Sequence, residues 1–138
     1  MTKPNEQYAY FTIVGDFDLT DISKLVDVAP TEAWAKGDVN PHTQLERRFS
    51  RWSIYSRLER WRELEAHIVD VIEQLDARKA DFVALTSRYN GHMQLVGYFT
   101  TSYPGLSLNK EFVESLATYH LSIDFDFYYL YSDYREDS

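Results

Sequence analysis

The chain has 138 residues, no cysteine and a formal net charge of −8. The lack of cysteine excludes disulfides, thiolate catalysis and cysteine-ligated metal sites, and the negative charge disfavours nucleic acid as a partner. Eleven tyrosines and eight phenylalanines favour a sheet-rich fold, since both residue types suit strands.

The ends of the chain carry no recognisable targeting or membrane signal. Residues 1–7 lack the apolar core of a secretory signal, and no apolar run reaches the about 20 residues that span a membrane. We therefore predict a cytoplasmic protein without a membrane partner. It would form a single domain over residues 1–138, with an ordered core at about 7–131 and a polar tail at 132–138.

The first half of the chain predicts three strands and one short helix. Residues 8–14 are aromatic and β-branched, which is typical of a strand. A helix is predicted over 19–28 with Asp18 as its N-cap. Further strands are predicted at 31–36 and 48–57, the second from its alternating pattern.

A long helix and a hairpin are predicted next. Residues 60–77 carry an apolar stripe with helical spacing: Trp61, Leu64, Ile68, Val71, Ile72 and Leu75. Residues 81–88 and 93–101 are interpreted as the two strands of the hairpin. The intervening Asn90-Gly91 pair favours the tight turn that such a hairpin needs.

A third helix at 109–119 and a final strand at 121–130 complete the predicted elements. Their order is β-α-β-β-α-β-β-α-β. The predicted fold class is α+β, a two-layer sandwich with a mostly antiparallel or mixed sheet and with helices packed on one face.

Alternate residues of the predicted strands, which share one face of the sheet, are rich in tyrosine and arginine rather than in simple solvent-facing residues. Tyrosine and arginine are enriched at protein interfaces, because each combines a large contact area with a polar group. The predicted binding residues are Tyr10, Arg51, Tyr55, Arg57, Tyr98, Asp124, Asp126 and Tyr128. The alternative is an ordinary exposed sheet surface, because tyrosine and threonine also suit exposed strand positions. Helices on both faces of the sheet would cover these residues, and they could then not form a binding surface.

Six arginines fall between residues 46 and 65: Arg47, Arg48, Arg51, Arg57, Arg60 and Arg62. Such a stretch could bind a small anion. The simpler interpretation is that these arginines pair with surrounding carboxylates.

Known catalytic and ligand-binding motifs are missing. No glycine-rich phosphate loop and no G-x-S-x-G occurs, and the four histidines are widely spaced. Asp124 and Asp126 could act as a metal or acid/base pair, but no third ligand lies near them in sequence. We therefore predict no catalytic residues, no metal and no cofactor.

Short segments along nearly the whole chain resemble a family of small bacterial proteins known as domain of unknown function 4279. They are Tyr10-Phe11-x-Ile13-x-Gly15-Asp16, Pro30-Thr31, Gly37-Asp38, Trp52, Leu64-Glu65-x-His67-Ile68, Leu75, Leu106-x-Leu108 and Ile123-Asp124-Phe125-Asp126-x-Tyr128. The resemblance implies a stand-alone α+β domain with no assigned activity, so it transfers no catalytic residue. Asp27-Val28 departs from the family pattern, which often has a glycine there.

These observations favour a non-catalytic domain that binds a protein partner. One version is a toxin-neutralising immunity protein, whose negative charge would suit a cationic toxin. Another is self-association as a homodimer through the tyrosine-rich face. The alternative is a small-molecule-binding protein or enzyme that uses an Arg/Asp/Tyr cluster on the sheet.

Overall fold

The computed structural model describes residues 4–100 and 105–130, which contain five strands and four helices. In chain order they are β1 (Glu6–Gly15), α1 (Leu19–Val26), β2 (Glu32–Trp34), β3 (Ser50–Tyr55), α2 (Leu64–Asp76), α3 (Lys79–Arg88), β4 (Asn90–Phe99), α4 (Lys110–Thr118) and β5 (Leu121–Tyr129). The predicted α+β class is confirmed. The predicted polar tail at 132–138 lies outside the described residues.

All five strands belong to one mixed sheet in the order β2-β3-β1-β4-β5. The central β1 pairs antiparallel with both β3 and β4, and β2 pairs antiparallel with β3. β4 and β5 are parallel, and α4 makes the crossover that a parallel pair requires. The strands β2 and β5 therefore form the two edges of the sheet.

The helices cover one face of this sheet. α2 packs on β1, α1 packs on β3 and α4 packs on β5. Alternate strand residues and the apolar sides of the helices form one buried core, which includes Ala9, Phe11, Ile13, Trp52, Ile54, Leu64, Ile68, Val71 and Leu75. The predicted two-layer sandwich with helices on one face is confirmed.

The predicted hairpin is wrong, because its first strand, residues 81–88, belongs to the helix α3. Phe82, Leu85 and Thr86 are buried at the i, i+3, i+4 spacing of one helix face. The two predicted turn residues lie at the start of β4 and pair with β1. Short apolar runs fit helix and strand patterns equally well, so burial against the sheet decides the outcome here. The element order is therefore β-α-β-β-α-α-β-α-β.

α2 begins at Leu64, later than the predicted start near residue 60. The side-chain amide of Gln7 donates to the backbone carbonyls of Arg60 and Arg62 at 3.0 and 2.7 Å, and so ties the segment before the helix to β1. Trp61 therefore lies outside the helix and is 66% exposed, although its place in the apolar stripe predicted a core residue.

The remaining two predicted helices correspond to α1 and α4. Asp18 is the N-cap of α1, as predicted, and accepts a hydrogen bond from the Thr20 N–H at 2.8 Å. Asn109 caps α4 in the same way through the Phe112 N–H. Each cap satisfies a backbone donor that the helix itself leaves free.

Phe82 tests the placement of α3 against the sheet. Its ring lies edge-on to Phe11 at a centroid distance of 5.5 Å and 6.2 Å from the ring of Trp52. We expect Phe82→Ala to lower the free energy of unfolding by about 3–5 kcal/mol, because it removes a buried ring and leaves a cavity. Urea unfolding followed by circular dichroism measures the change.

The matched control is Ala84→Ser, an exposed position on the same helix. It should change the free energy of unfolding by no more than about 0.5 kcal/mol. A Phe82→Ala effect as small as that of the control would contradict the packing of α3 on the sheet.

Candidate functional site

The surface of the sheet opposite the helices, called the outer face below, carries no helix among the described residues. Strand register brings together on it Glu32, Trp34, Arg51, Ser53, Tyr55, Glu6, Tyr8, Tyr10, Thr12, Val14, Asn90, His92, Gln94, Val96, Tyr98, Ser122, Asp124, Asp126 and Tyr128. Seven of the eight predicted binding residues lie there, and the exception is Arg57. The condition on which the prediction depended, a face without covering helices, holds for the part of the chain that the structure describes.

Three tyrosines form a stack at the centre of the outer face. Tyr10 lies directly opposite Tyr55 across the β1/β3 pair, and their ring centroids are 4.4 Å apart with an interplanar angle of 11°. Tyr8 stacks on Tyr55 at 5.7 Å. Such cross-strand aromatic pairs stabilise a sheet and also hold each ring in one orientation.

Arginines extend the stack in both directions. The Arg60 guanidinium lies 4.2 Å from the centre of the Tyr8 ring, and Arg51 lies 5.2 Å from the rings of both Tyr10 and Trp34. These distances are those of cation–π contacts. With Arg47, which lies 3.7 Å from the Trp34 ring, they form one continuous aromatic–arginine row. Its members in order are Arg60, Tyr8, Tyr55, Tyr10, Arg51, Trp34 and Arg47.

Hydrogen bonds fix the arginine at the middle of the row. Arg51 Nη2 donates to the Tyr10 hydroxyl at 2.7 Å, and its Nε donates to Thr12 Oγ1 at 3.1 Å. The hydroxyls of Thr12 and Ser53 are themselves 2.8 Å apart. The guanidinium of Arg51 is therefore held in place by neutral groups.

The arginines of the row keep their positive charge uncompensated by close ion pairs. Within residues 4–100 and 105–130, Arg47, Arg51 and Arg60 form no salt bridge. The interpretation that the six arginines pair with carboxylates is therefore wrong for these three. Aromatic rings occupy the positions beside them instead. The carboxylate of Glu32 lies nearby, where it accepts a hydrogen bond from Tyr55 at 3.1 Å, and Glu6 lies on the same face of β1.

The other side of the outer face is acidic. Asp124 and Asp126 project from β5, and neither β4 nor β5 contains a lysine or arginine. Tyr98 and Tyr128 stack there with ring centroids 5.0 Å apart. A hydrogen bond to Asp126, together with its negative charge, raises the pKa of Tyr128. The outer face thus has an arginine-bearing half on β1, β2 and β3 and an acidic half on β4 and β5.

The environment of the face raises the pKa of two of the stacked tyrosines, Tyr55 and Tyr8. Burial raises the pKa of Tyr55, and the negative charge of Glu32 raises it further. Burial likewise raises the pKa of Tyr8, and the neighbouring Tyr98 adds to the effect. The hydroxyls of Tyr8 and Tyr55 are therefore uncharged at neutral pH.

Arg57 lies away from the outer face, because the chain turns toward α2 directly after β3. Its guanidinium forms a salt bridge with Asp70 of α2 at 2.8 Å, and its backbone N–H donates to the same carboxylate at 2.8 Å. The contacts of Arg57 join the end of β3 to α2. They give this predicted binding residue a structural role.

The Arg/Asp cluster that would serve a small-molecule site does not come together. Arg51 on β3 and Asp124 on β5 are separated by β1 and β4, a distance of about 14 Å at the usual strand spacing. Five cavities in the described part of the chain lie at the ends of the sheet or beside helices, and none of these five is lined by an outer-face residue. No three histidine, aspartate or glutamate side chains among the described residues are placed to hold a metal.

One serine–histidine contact lies in the helix layer. Ser56 Oγ is 2.6 Å from Nδ1 of His67, and it also accepts the Ala9 N–H at 3.3 Å. His67 is fully buried, and burial lowers its pKa, so the ring is neutral at pH 7. A buried ring has no access to a substrate, and the contact instead joins β1, β3 and α2.

Four members of the row were not among the predicted site residues: Tyr8, Trp34, Arg47 and Arg60. The run of six arginines was the available sequence signal for the two arginines. The sequence gives no strand order, and so it could not assign Trp34 to the row. Only the pairing of β2 with β3 brings Trp34 beside Arg51.

Comparison with known proteins identifies one family. The model of a family described as a domain of unknown function, DUF4279, matches residues 5–130. No curated protein and no solved structure matches the chain. A search of the described helices finds none long and apolar enough to cross a membrane.

The Arg57–Asp70 pair gives a pH-dependent stability. Burial acts to raise the pKa of Asp70, but hydrogen bonds from the side chain and backbone of Arg57 outweigh it and hold the pKa below its ordinary value. The pair therefore stabilises the fold above the unfolded-state pKa of about 3.9, and this contribution is lost as pH falls through the folded-state pKa. We expect Asp70→Asn to lower the free energy of unfolding at pH 7, by an amount that shrinks toward about pH 3.

Urea unfolding of the unsubstituted protein and of Asp70→Asn, at pH 7 and at about pH 3, measures this effect. Glu46→Gln, on an exposed loop side chain, is the control and should match the unsubstituted protein at both. An Asp70→Asn deficit that is equally large at low pH would argue against the ion pair as its cause.

Proposed function

The chain belongs to the DUF4279 family, and we propose that it is a non-catalytic protein-binding domain whose outer face is the binding surface. The observation that carries the proposal is the aromatic–arginine row on a sheet face that no described helix covers. Tryptophan, tyrosine and arginine are the residue types that dominate binding energy at protein interfaces.

The row is also pre-organised. Tyr10 and Tyr55 stack closely, and Arg51 is held by hydrogen bonds, so these side chains have little freedom left to lose on binding. Association normally costs about 0.5–1.5 kcal/mol for each long side chain that becomes ordered. A face whose large side chains are already ordered avoids much of this cost.

A protein fits this surface better than a single-stranded nucleic acid. Nucleic-acid platforms on sheets leave aromatic ring faces free for stacking with bases. Here the faces of Tyr8, Tyr10 and Tyr55 lie against one another and against arginines, so they are not free to stack with bases. The acidic half of the face and the net charge of −8 also repel phosphates.

The small-molecule or enzyme alternative has less support. It needs Arg51 and the two aspartates of β5 to converge on a cavity, and two strands lie between them. Pockets for small ligands are concave and enclose most of the ligand surface. An open sheet face suits a protein instead.

The narrower role of an immunity protein is supported by the net charge of −8 alone. A cationic toxin would match the acidic half of the outer face. It would meet three arginines on the other half, so this version explains only part of the surface.

Site-specific photo-crosslinking in cells of the source organism tests the proposal. A photoreactive phenylalanine analogue would replace Gln94, at the centre of the outer face, or Ala84, on the exposed side of α3. We expect a protein adduct of discrete mass from position 94, at a yield about tenfold above that from position 84.

Equal yields at the two positions, or no protein adduct at position 94, would overturn the outer face as the binding surface. Circular dichroism of both substituted proteins verifies that each is folded before the comparison is made.

A further inference from the structure

We propose that the partner of the outer face is a second copy of this chain, packed face to face about a two-fold axis. This inference rests on the proposed function, because it names the occupant of the same surface. The distribution of charge on that surface is the observation that carries it.

The two halves of the outer face have opposite charge. On the half formed by β1, β2, β3 and the segments that flank β3, the row contributes Arg47, Arg51 and Arg60 against the carboxylates of Glu32 and Glu6. On β4 and β5 the outer face carries the carboxylates of Asp124 and Asp126, with His92 Nδ1 3.6 Å from Asp124, and those two strands contain no lysine or arginine. A surface with one positive and one negative half complements itself when it is turned around.

A two-fold axis parallel to the strands and above β1 produces this match. Rotation about that axis places β5 of one copy over β2 of the other and β4 over β3, so the acidic half of each copy lies over the arginine-bearing half of the other. The rotation leaves positions along the strands unchanged, so Asp126, which is level with Tyr8, comes near Arg60. The same pairing occurs twice, since a two-fold interface repeats each contact. An axis across the strands would instead place arginines over arginines.

Charge matching of this kind is needed because each copy carries a net charge of −8. Two such chains repel one another at long range unless the contacting surfaces are complementary. The positive half of the outer face supplies the required attraction, and the tyrosines between the halves supply contact area.

The area is sufficient for a stable pair. At about 4.8 Å between strands and about 3.3 Å per residue, the five strands cover about 600 Å². Two copies would therefore bury about 1,200 Å² or more, which reaches the lower end of standard interfaces at about 1,200–2,000 Å².

Light scattering after size exclusion tests the inference directly. At about 100 μM protein and about 50 mM salt we expect twice the chain mass of 16.3 kDa. The dissociation constant should rise at about 500 mM salt, because screening weakens the contacts between the charged halves.

Charge reversal locates the interface. We expect the double variants Arg47→Glu/Arg60→Glu and Asp124→Lys/Asp126→Lys each to dissociate at least about tenfold more readily. An equimolar mixture of the two should recover a dimer, because each variant supplies the charge that the other has lost. Glu111→Lys/Glu114→Lys on α4 makes the same charge change as the aspartate variant on the helix side, and should leave the dimer intact.

A monomer at both salt concentrations would overturn the inference. So would a dimer that both outer-face variants leave unchanged, because its interface would lie elsewhere. Neither result decides the proposed function, since a crosslink from position 94 to a different protein would still establish the outer face as a binding surface.

Discussion

The alternation of β1 is the constraint on which the rest of the structure depends. Ala9, Phe11 and Ile13 point into the core, while Tyr8, Tyr10 and Thr12, which alternate with them, point to the outer face. Because β1 pairs with both β3 and β4, its register fixes which residues of those strands share each face. A slip by one residue would bury the tyrosines and expose the core, so packing and the candidate site are specified by the same register.

The sequence pattern was sufficient to predict an element where the spacing of its apolar residues fits only one kind of secondary structure. The final strand and the capped helices α1 and α4 were predicted within a few residues. The pattern failed at α3, where a short apolar run fits either period and only packing against Phe11 and Trp52 distinguishes them. It failed again at Trp61, because a hydrogen bond from Gln7, distant in the chain, decides where α2 begins.

The candidate site could be predicted only in part, for a similar reason. Strand parity was enough to place Tyr10, Tyr55 and Tyr98 on one face. Parity carries no information about which strands are neighbours, so it could not show that Arg51 and Asp124 lie three strand positions apart. The alternation of side chains between the two faces also stops where a strand ends. Arg57, two residues after β3, accordingly pairs with Asp70 of α2.

The stacking within the row changes what the outer face can recognise. An isolated tyrosine offers a ring face that accepts many partners, whereas Tyr8, Tyr10 and Tyr55 use their faces on one another and on arginines. The row bears arginines on one half of the outer face, and Asp124 and Asp126 lie on the other half. Specificity then depends on the match of charge and hydrogen-bond pattern rather than on apolar contact alone. A surface of this kind favours a partner of complementary charge, which is the property on which the proposal of a second copy rests.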